Sequence, residues 1–119
     1  MNETTEREIS EREIQVLLLR MGIPTNLLGF LYLVYAVRLS LTNFRYITHL
    51  SKHLYVDVAE KYQTDAQCVE RCIRHALAVT FSNGLNEYAA TLFGADSKAP
   101  TNTQFITRMY FYLISEKEA

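Results

Sequence analysis

Apolar residues recur at helical spacing along most of the chain, and no stretch alternates convincingly in the manner of a β-strand. Residues 5–21 predict a first helix, which Gly22-Ile23-Pro24 ends. Thr25 or Asn26 then caps a second helix that runs to about Leu41. Because the apolar surface of this second helix is nearly continuous, we expect it to be the central element of the core.

The later apolar residues predict shorter helices that are separated by polar turns. Residues 44–50 predict one of them, with Ser51 as a candidate cap for the next. Since glycine tolerates positive φ, Asn83-Gly84 is expected to end the long helix before it. The last two predicted helices are residues 86–93 and a segment that Thr101 or Asn102 caps and that runs to about Glu116.

These elements predict an all-α fold, a single compact domain of about six helices that contains a helix-turn-helix. A chain of 119 residues is long enough to bury one core, and a hydrophobic fraction of 49% is typical of globular proteins. No linker-like or repetitive run divides it. We expect residues 1–8 to be a solvated extension and residues 9–116 to form the domain.

The helix-turn-helix is predicted within residues 54–81. Two helical segments are separated there by the short turn Gln63-Thr64-Asp65. Val58, Ala59 and Tyr62 form the inward side of the first segment. Helices that cross over such a short turn approach closely, so we expect the small Ala59 to leave room for the second helix.

On a helical wheel the second helix separates into two stripes. Arginine binds O6 and N7 of guanine, glutamine binds adenine, and both residue types lie in the half of the helix that enters a major groove in this motif. A solvated amphipathic helix has the same periodicity, so spacing alone leaves that alternative open. The inward stripe is Val69, Cys72, Ile73, Ala76 and Thr80, and the outward stripe is Gln67, Arg71, Arg74 and Ala78.

The segment VERCIRHA, residues 69–76, is similar to the recognition helix in the family of C-terminal DNA-binding domains typified by stage-zero sporulation protein A. Four further segments resemble the same domain in the same order, over about residues 9–116. The resemblance implies a helix-turn-helix regulator of sporulation or a related programme, with double-stranded DNA as its partner. The further segments are GIPTNLLGFLYL (22–33), LYVDVAEKY (54–62), TLFG (91–94) and PTNTQFI (100–106).

The resemblance also implies roles for single residues. Arg71 and Arg74 are expected to read base edges, and His75 or nearby helix ends are expected to hold the DNA backbone. The flanking positions are Gln67, Cys68 and Glu70.

The sequence departs from the family pattern in three ways. The family domain normally follows a receiver domain, for which we expect no room in 119 residues. Val56 stands where the family has proline, which we expect to be harmless. Cys68 stands where the family carries an arginine that resembles a base reader, so we expect an altered sequence preference.

Charge is distributed unevenly along the chain. The formal net charge is −1, but acidic residues concentrate near both ends, and residues 14–115 carry a net charge of +3. A weakly basic body permits DNA binding and predicts few phosphate contacts, hence a modest and salt-sensitive affinity.

Other functional classes find little support in the sequence. The acidic, polar start does not resemble a secretory signal, so we expect a cytoplasmic protein. The apolar run over residues 27–37 is too short to cross a membrane. His49, His53 and His75 occur without a nucleophile motif, a paired-carboxylate motif or a glycine-rich phosphate loop. We therefore expect neither enzyme activity nor a cofactor.

Cys68, Cys72 and His75 have a spacing that offers three zinc ligands on one side of a helix. Structural zinc usually takes four ligands from two segments, and no fourth is evident. We therefore expect no metal. Cys72 is expected to be a small core residue, and both cysteines are expected to be free thiols, because adjacent helical turns suit a disulfide poorly.

The sequence allows an alternative function and predicts assembly on DNA. In the alternative function, the domain keeps its fold but does not recognise a specific DNA sequence. It acts instead by pairing with a sporulation-type regulator or with RNA polymerase. The resemblance implies the sigma factor as the contact on RNA polymerase. We also expect two copies on DNA, because one helix-turn-helix covers few base pairs. The last helix either provides their contact surface or completes the core. Its apolar residues are Phe105, Met109, Tyr110, Phe111, Tyr112 and Leu113.

Overall fold

Helices make up the secondary structure of the computed structural model, which describes residues 8–48 and 52–118. Seven helices and no strand lie within those ranges, so the all-α prediction is confirmed with one helix more than the expected six. The helices are α1 (Glu11–Arg20), α2 (Leu28–Thr42), α3 (Arg45–Thr48), α4 (Lys52–Tyr62), α5 (Ala66–Ser82), α6 (Glu87–Phe93) and α7 (Asn102–Glu118).

Helix α2 is the centre of the fold, as its continuous apolar surface predicts. It packs against α1, α3, α4, α5 and α7. A single core joins residues from all of these helices except the short α3, and it also includes Ala89 of α6. The buried residues of α2 lie on several sides of the helix: Gly29, Tyr32, Leu33, Val34, Ala36, Val37 and Ser40.

The start of α1 differs from the prediction. The helix begins at Glu11, whereas residues 8–10 are not helical and residues 5–7 lie outside the described ranges. Ser10 is the N-cap: the Glu13 amide donates to its Oγ over 3.2 Å, and the Ser10 amide donates to Glu13 Oε1 over 2.8 Å. This reciprocal capping box fixes the first turn one residue after Ser10.

The predicted cap of α2 is wrong. Leu27 occupies the N-cap position and makes no side-chain capping hydrogen bond. Its amide donates to the carbonyl of Pro24 over 3.4 Å, so Thr25 and Asn26 are the middle residues of a turn and come too early to cap. Leu27 packs against the core, which explains why an apolar residue holds this position.

Most of the later boundaries agree with the prediction. Gly84 has a φ of 85° just beyond α5, and Asn86 caps α6 by accepting the Ala89 amide over 2.8 Å. Of the two candidates for α7, Thr101 is the cap: it forms a capping box with Gln104, with bonds of 3.1 and 3.0 Å. The end of the predicted helix 44–50 and the proposed cap Ser51 fall partly or wholly outside the described residues.

Candidate nucleic-acid interface

The predicted helix-turn-helix is present as α4, a short turn and α5. Gln63 takes a left-handed conformation, with a φ of 56°, and the Thr64 amide donates to the Ala59 carbonyl over 3.0 Å. Asp65 then accepts the Cys68 amide on its side chain over 2.8 Å and caps α5. Ala59 is buried, so a small side chain occupies the α4 side of the turn as expected.

Helix α5 is supported on another side by α2, at a contact that the sequence pattern does not reveal. A Cβ added to Gly29 would lie 2.3 Å from the Cys72 carbonyl oxygen and 2.6 Å from the Ala76 Cβ. Glycine is therefore the residue that allows the two backbones to come this close. In the sequence, the one sign of this close contact is a glycine near the start of an apolar helix.

The two stripes of α5 have the exposures that the helical wheel predicts. Gln67, Arg71, Arg74 and Ala78 are exposed, whereas Cys72 of the inward stripe is half-buried against the core. His75 is also exposed. The fully or nearly buried residues of α5 are Val69, Ile73, Ala76, Leu77, Thr80 and Phe81.

The two outward arginines differ in their surroundings. The Arg74 guanidinium donates to the Glu70 carboxylate one turn earlier, and these side chains are 58% and 38% exposed. An exposed pair of this kind contributes little to stability, about 0.3 to 0.5 kcal/mol on a helix. Arg71 forms no ion pair with any residue in the described ranges. Arg74 is thus held only by a weak ion pair, and the Arg71 guanidinium is not engaged in an ion pair with a described residue.

A hollow of about 410 Å³ borders α5 on its α2 side. Its lining includes Asn26 and Leu28 from the start of α2, together with Arg71, Cys72 and His75. Leu28 is 55% exposed. Arg71 and His75 therefore share one edge of α5, beside a second helix end.

A second hollow, of about 400 Å³, borders α5 on its α7 side. Arg74 and Ala78 line it together with Tyr55 of α4 and Thr101. Asn102, the first residue of α7, donates from Nδ2 to the Glu70 carbonyl over 3.0 Å. Sequence reasoning assigned no site role to this helix start, although its segment is one of those that carry the family resemblance.

Cys68 lies at the flank of the outward stripe and is half-buried. Its Sγ is 3.9 Å from the Sγ of Cys72, and both cysteines are free, as expected. Burial, followed by the hydrogen bond with Cys68, raises the pKa of the Cys72 thiol. Burial is also the main reason for the raised pKa of Tyr32, whose side chain interacts with Cys68.

Residues 8–48 and 52–118 contain no group of three or more His, Cys, Asp or Glu side chains placed to hold a metal ion. His49 lies outside the described residues. None of the described helices is long and apolar enough to cross a bilayer.

A comparison with protein families identifies the chain. The family model described as "Sporulation initiation factor Spo0A C terminal" matches residues 14–113, a range that includes α4, the turn, α5 and every buried hydrophobic residue of the described core. This is a family of sporulation-related DNA-binding regulators rather than a class of enzymes. The match spans far more than half of the 119 residues. The chain therefore belongs to the Spo0A C-terminal domain family.

Proposed function

We propose that this protein regulates transcription by binding specific sites on double-stranded DNA, with α5 in the major groove. The observation that carries the proposal is the exposed stripe of Gln67, Arg71 and Arg74 on the second helix of the helix-turn-helix, in a chain of this family. A protein that acts on bacterial chromosomal DNA works in the cytoplasm.

In this proposal Arg71 and Arg74 read base edges from the middle of the recognition helix. Gln67 and Cys68 lie one turn earlier, near the N-terminal end that enters the groove most deeply in this motif. Glu70 immediately precedes Arg71 and lies one turn before Arg74, and it can accept a hydrogen bond from cytosine N4 when Arg74 leaves it. These residues occupy about two turns of α5, a length suited to a few base pairs.

The ion pair between Arg74 and Glu70 does not prevent base reading. Separating it costs about 0.3 to 0.5 kcal/mol, because solvent screens a pair whose side chains are 58% and 38% exposed. One good bidentate contact to guanine contributes about 1 to 3 kcal/mol of discrimination. The base contact is therefore the larger effect, and we expect the guanidinium to transfer from the carboxylate to DNA.

Contacts to the phosphate backbone are proposed at the two hollows beside α5. His75 borders one hollow together with the start of α2, and the other contains the start of α7 next to Thr101. The first amides of a helix favour anionic oxygens such as those of phosphate. Such contacts position the protein on DNA and carry no sequence information.

We also propose that two copies occupy neighbouring half-sites. An aromatic cluster, defined here as Phe44, Tyr110 and Phe111, supports a contact between copies. Phe44 and Phe111 are 47% and 51% exposed, and the ring centroids in the cluster lie 5.1 to 6.4 Å apart. Phe105, Met109 and Leu113 of the same helix are buried in the core. Helix α7 thus completes the core and still leaves aromatic surface exposed.

The proposal is tested by selecting duplexes from a random pool with the reduced, full-length protein. We expect enrichment of one short motif, protection of the major groove at that motif, and a binding constant that falls with salt. Selection that yields no motif, together with equal binding to all duplexes, would contradict specific recognition.

The alternative function, a protein-interaction module, is favoured by Cys68 and by the exposed aromatic cluster. Cys68 stands where the family resemblance implies an arginine that looks like a base reader, and the cluster offers apolar surface to a partner. In that case the chain selects no DNA motif but binds a purified sporulation-type regulator or sigma factor. Substitution of Phe111 then abolishes that complex, while substitution of Arg71 does not.

A further inference from the structure

The chain has two cysteines, and both lie on the first two turns of α5. Their sulfur atoms are 3.9 Å apart, and both residues are partly accessible to solvent. Cys72 borders the hollow between α2 and α5, and Cys68 lies at the edge of the outward stripe. The fold therefore presents two thiols side by side at one edge of the recognition helix.

A disulfide does not suit this pair. Its two sulfur atoms would have to approach to about 2.05 Å, which requires movement of the helical backbone or strained side chains. The backbone at Cys72 is held by its close contact with Gly29. An atom that binds both sulfurs and lies between them can join the two cysteines without such movement.

A metal ion has the right size to bridge the sulfurs. With metal–sulfur bonds of about 2.3 Å, sulfurs 3.9 Å apart subtend an angle of about 116° at the metal. That angle is close to the angle of about 120° between ligands in trigonal coordination. Trigonal coordination by the two sulfurs leaves a third position for a ligand from solution. Zinc fits poorly, because it usually takes four ligands and the described residues supply no third.

We propose that Cys68 and Cys72 form a two-thiolate binding site for a soft metal ion, for which monovalent copper is the best match. Thiolate ligands select such ions over hard cations. On binding, each thiol gives its proton to solvent, and the two thiolates with one monovalent ion carry a net charge of −1. The neighbouring Arg71 offsets this charge, and a small thiol or other donor from solution completes the coordination.

Metal binding would also affect DNA recognition, a consequence that rests on the proposed function. The loaded site adds a negative charge and an extra ligand beside the outward stripe, where DNA phosphates would approach. It also fixes Cys68 against Cys72. We expect the loaded protein to bind its DNA site at least about tenfold more weakly, because like charges at an interface repel.

The site is tested with the fully reduced, full-length chain under anaerobic conditions. Monovalent copper is titrated in competition with a chromogenic copper chelator, in the absence of DNA. We expect one copper per chain. Cys68→Ser and Cys72→Ser should each lose competitive binding, with unchanged circular dichroism as the check on folding. His75→Ala is the matched control, since it removes a neighbouring donor of the same helix and should retain one copper per chain.

Three results would overturn the site. The first is copper binding by the parent that is no stronger than binding by a chain carrying both Cys68→Ser and Cys72→Ser. The others are one copper shared between two chains and loss of copper in His75→Ala. The DNA arm of the experiment compares the free and loaded protein on a selected duplex. A chain that binds copper but no DNA contradicts the proposed function alone, whereas a chain that binds DNA but no copper contradicts the metal site alone.

Discussion

Gly29 of α2 lies so close to Cys72 of α5 that a Cβ at position 29 would stand 2.3 Å from the Cys72 carbonyl oxygen. Real Cβ atoms do not approach an oxygen this closely. Helix α5 is thus held by backbone contact with the central helix of the core, and its position depends on the absence of a side chain at residue 29.

Gly29→Ala tests this contact. Helix propensity alone predicts a gain of up to about 1 kcal/mol, whereas overpacking against a backbone atom typically costs about 1 to 3 kcal/mol. We expect net destabilisation in urea unfolding. Ala76→Gly should restore little of it, since the Cys72 carbonyl is the nearer obstacle. A Gly29→Ala protein as stable as the parent would show that α2 and α5 are not in backbone contact.

Arg71→Ala and Arg74→Ala should each weaken binding to a selected DNA site by about 1 to 3 kcal/mol. Helical content should not change, because both side chains are exposed. Arg38→Ala is the matched control: it removes the same charge from an exposed position on α2, beside Lys117 and away from α5. Fluorescence anisotropy measures the three variants. If both α5 variants bound as tightly as the parent, the assignment of the recognition face would fail.

Cys68→Arg should change the preference for DNA sequence. A cysteine side chain is short and a weak donor, so it does not make the bidentate guanine contact that arginine makes. We expect the parent to bind the DNA box typical of the family poorly, and the variant to gain about 1 to 3 kcal/mol on boxes with guanine at the matching position.

A control at two salt concentrations separates base reading from simple charge attraction. An electrostatic gain from Cys68→Arg would appear on all duplexes and would steepen the salt dependence by about one phosphate contact. Tight binding of the usual box by the parent, unchanged by the substitution, would show that Cys68 does not occupy the base-reading position.

Tyr46→Phe should lower stability in a pH-dependent manner. The Tyr46 hydroxyl donates to the Asp57 carboxylate and so joins α3 to α4, and this bond raises the pKa of Tyr46 to about 12. At pH 8 we expect a loss of about 0.5 to 1.5 kcal/mol, the usual net contribution of a hydrogen bond. The phenol must stay protonated in the folded state, so the stabilisation is complete below pH 10 and is lost as pH rises towards 12.

Urea unfolding at pH 8, 10 and 11 measures the difference between Tyr46→Phe and the parent. The difference should shrink at the highest pH. Tyr110→Phe is the control, because its hydroxyl has no hydrogen-bond partner among the described residues. A constant difference at all three pH values would mean that the bond to Asp57 does not set the titration of Tyr46.

Phe111→Ser should weaken the binding of the second copy to DNA that carries two boxes. The ring of Phe111 is half exposed and contacts Phe44 and Tyr110, so its loss should leave the core intact and reduce the apolar surface shared by two copies. Sedimentation of the protein–DNA complex gives the stoichiometry, and a single-box duplex is the control. One protein per two-box DNA for the parent would contradict the dimer.

Local signals in the sequence predicted much of the fold. The continuous apolar surface of α2 indicated its central place, and Thr101, one of the two predicted caps, caps α7, because capping depends on residues within one turn. The predicted start of α1 was wrong because the capping box at Ser10 sets it later than the apolar periodicity indicates, and the predicted cap of α2 was wrong because the turn after Pro24 contains both Thr25 and Asn26. Both errors arose where two local sequence signals indicated different ends for the same helix.

The candidate site could be predicted only in part. Helical periodicity placed Arg71 and Arg74 on an exposed face, which the structure reproduces. The contact of Gly29 with α5 and the bond from Asn102 to Glu70 join residues that are distant in sequence, so no local pattern indicates them. The roles of the outward residues on DNA remain predictions.

Helix α7 connects two surfaces that would otherwise be separate. Its first residue, Asn102, is bonded to the carbonyl of Glu70, and Phe111 follows nine residues later, about 14 Å along the helix axis. In the proposed dimer, a displacement of the aromatic cluster by the second copy would therefore reach the turn of α5 that carries Glu70 and Arg74 through this single helix. The spacing between two boxes should therefore alter base preference within each box, and the effects of Phe111→Ser and Arg74→Ala should not be additive.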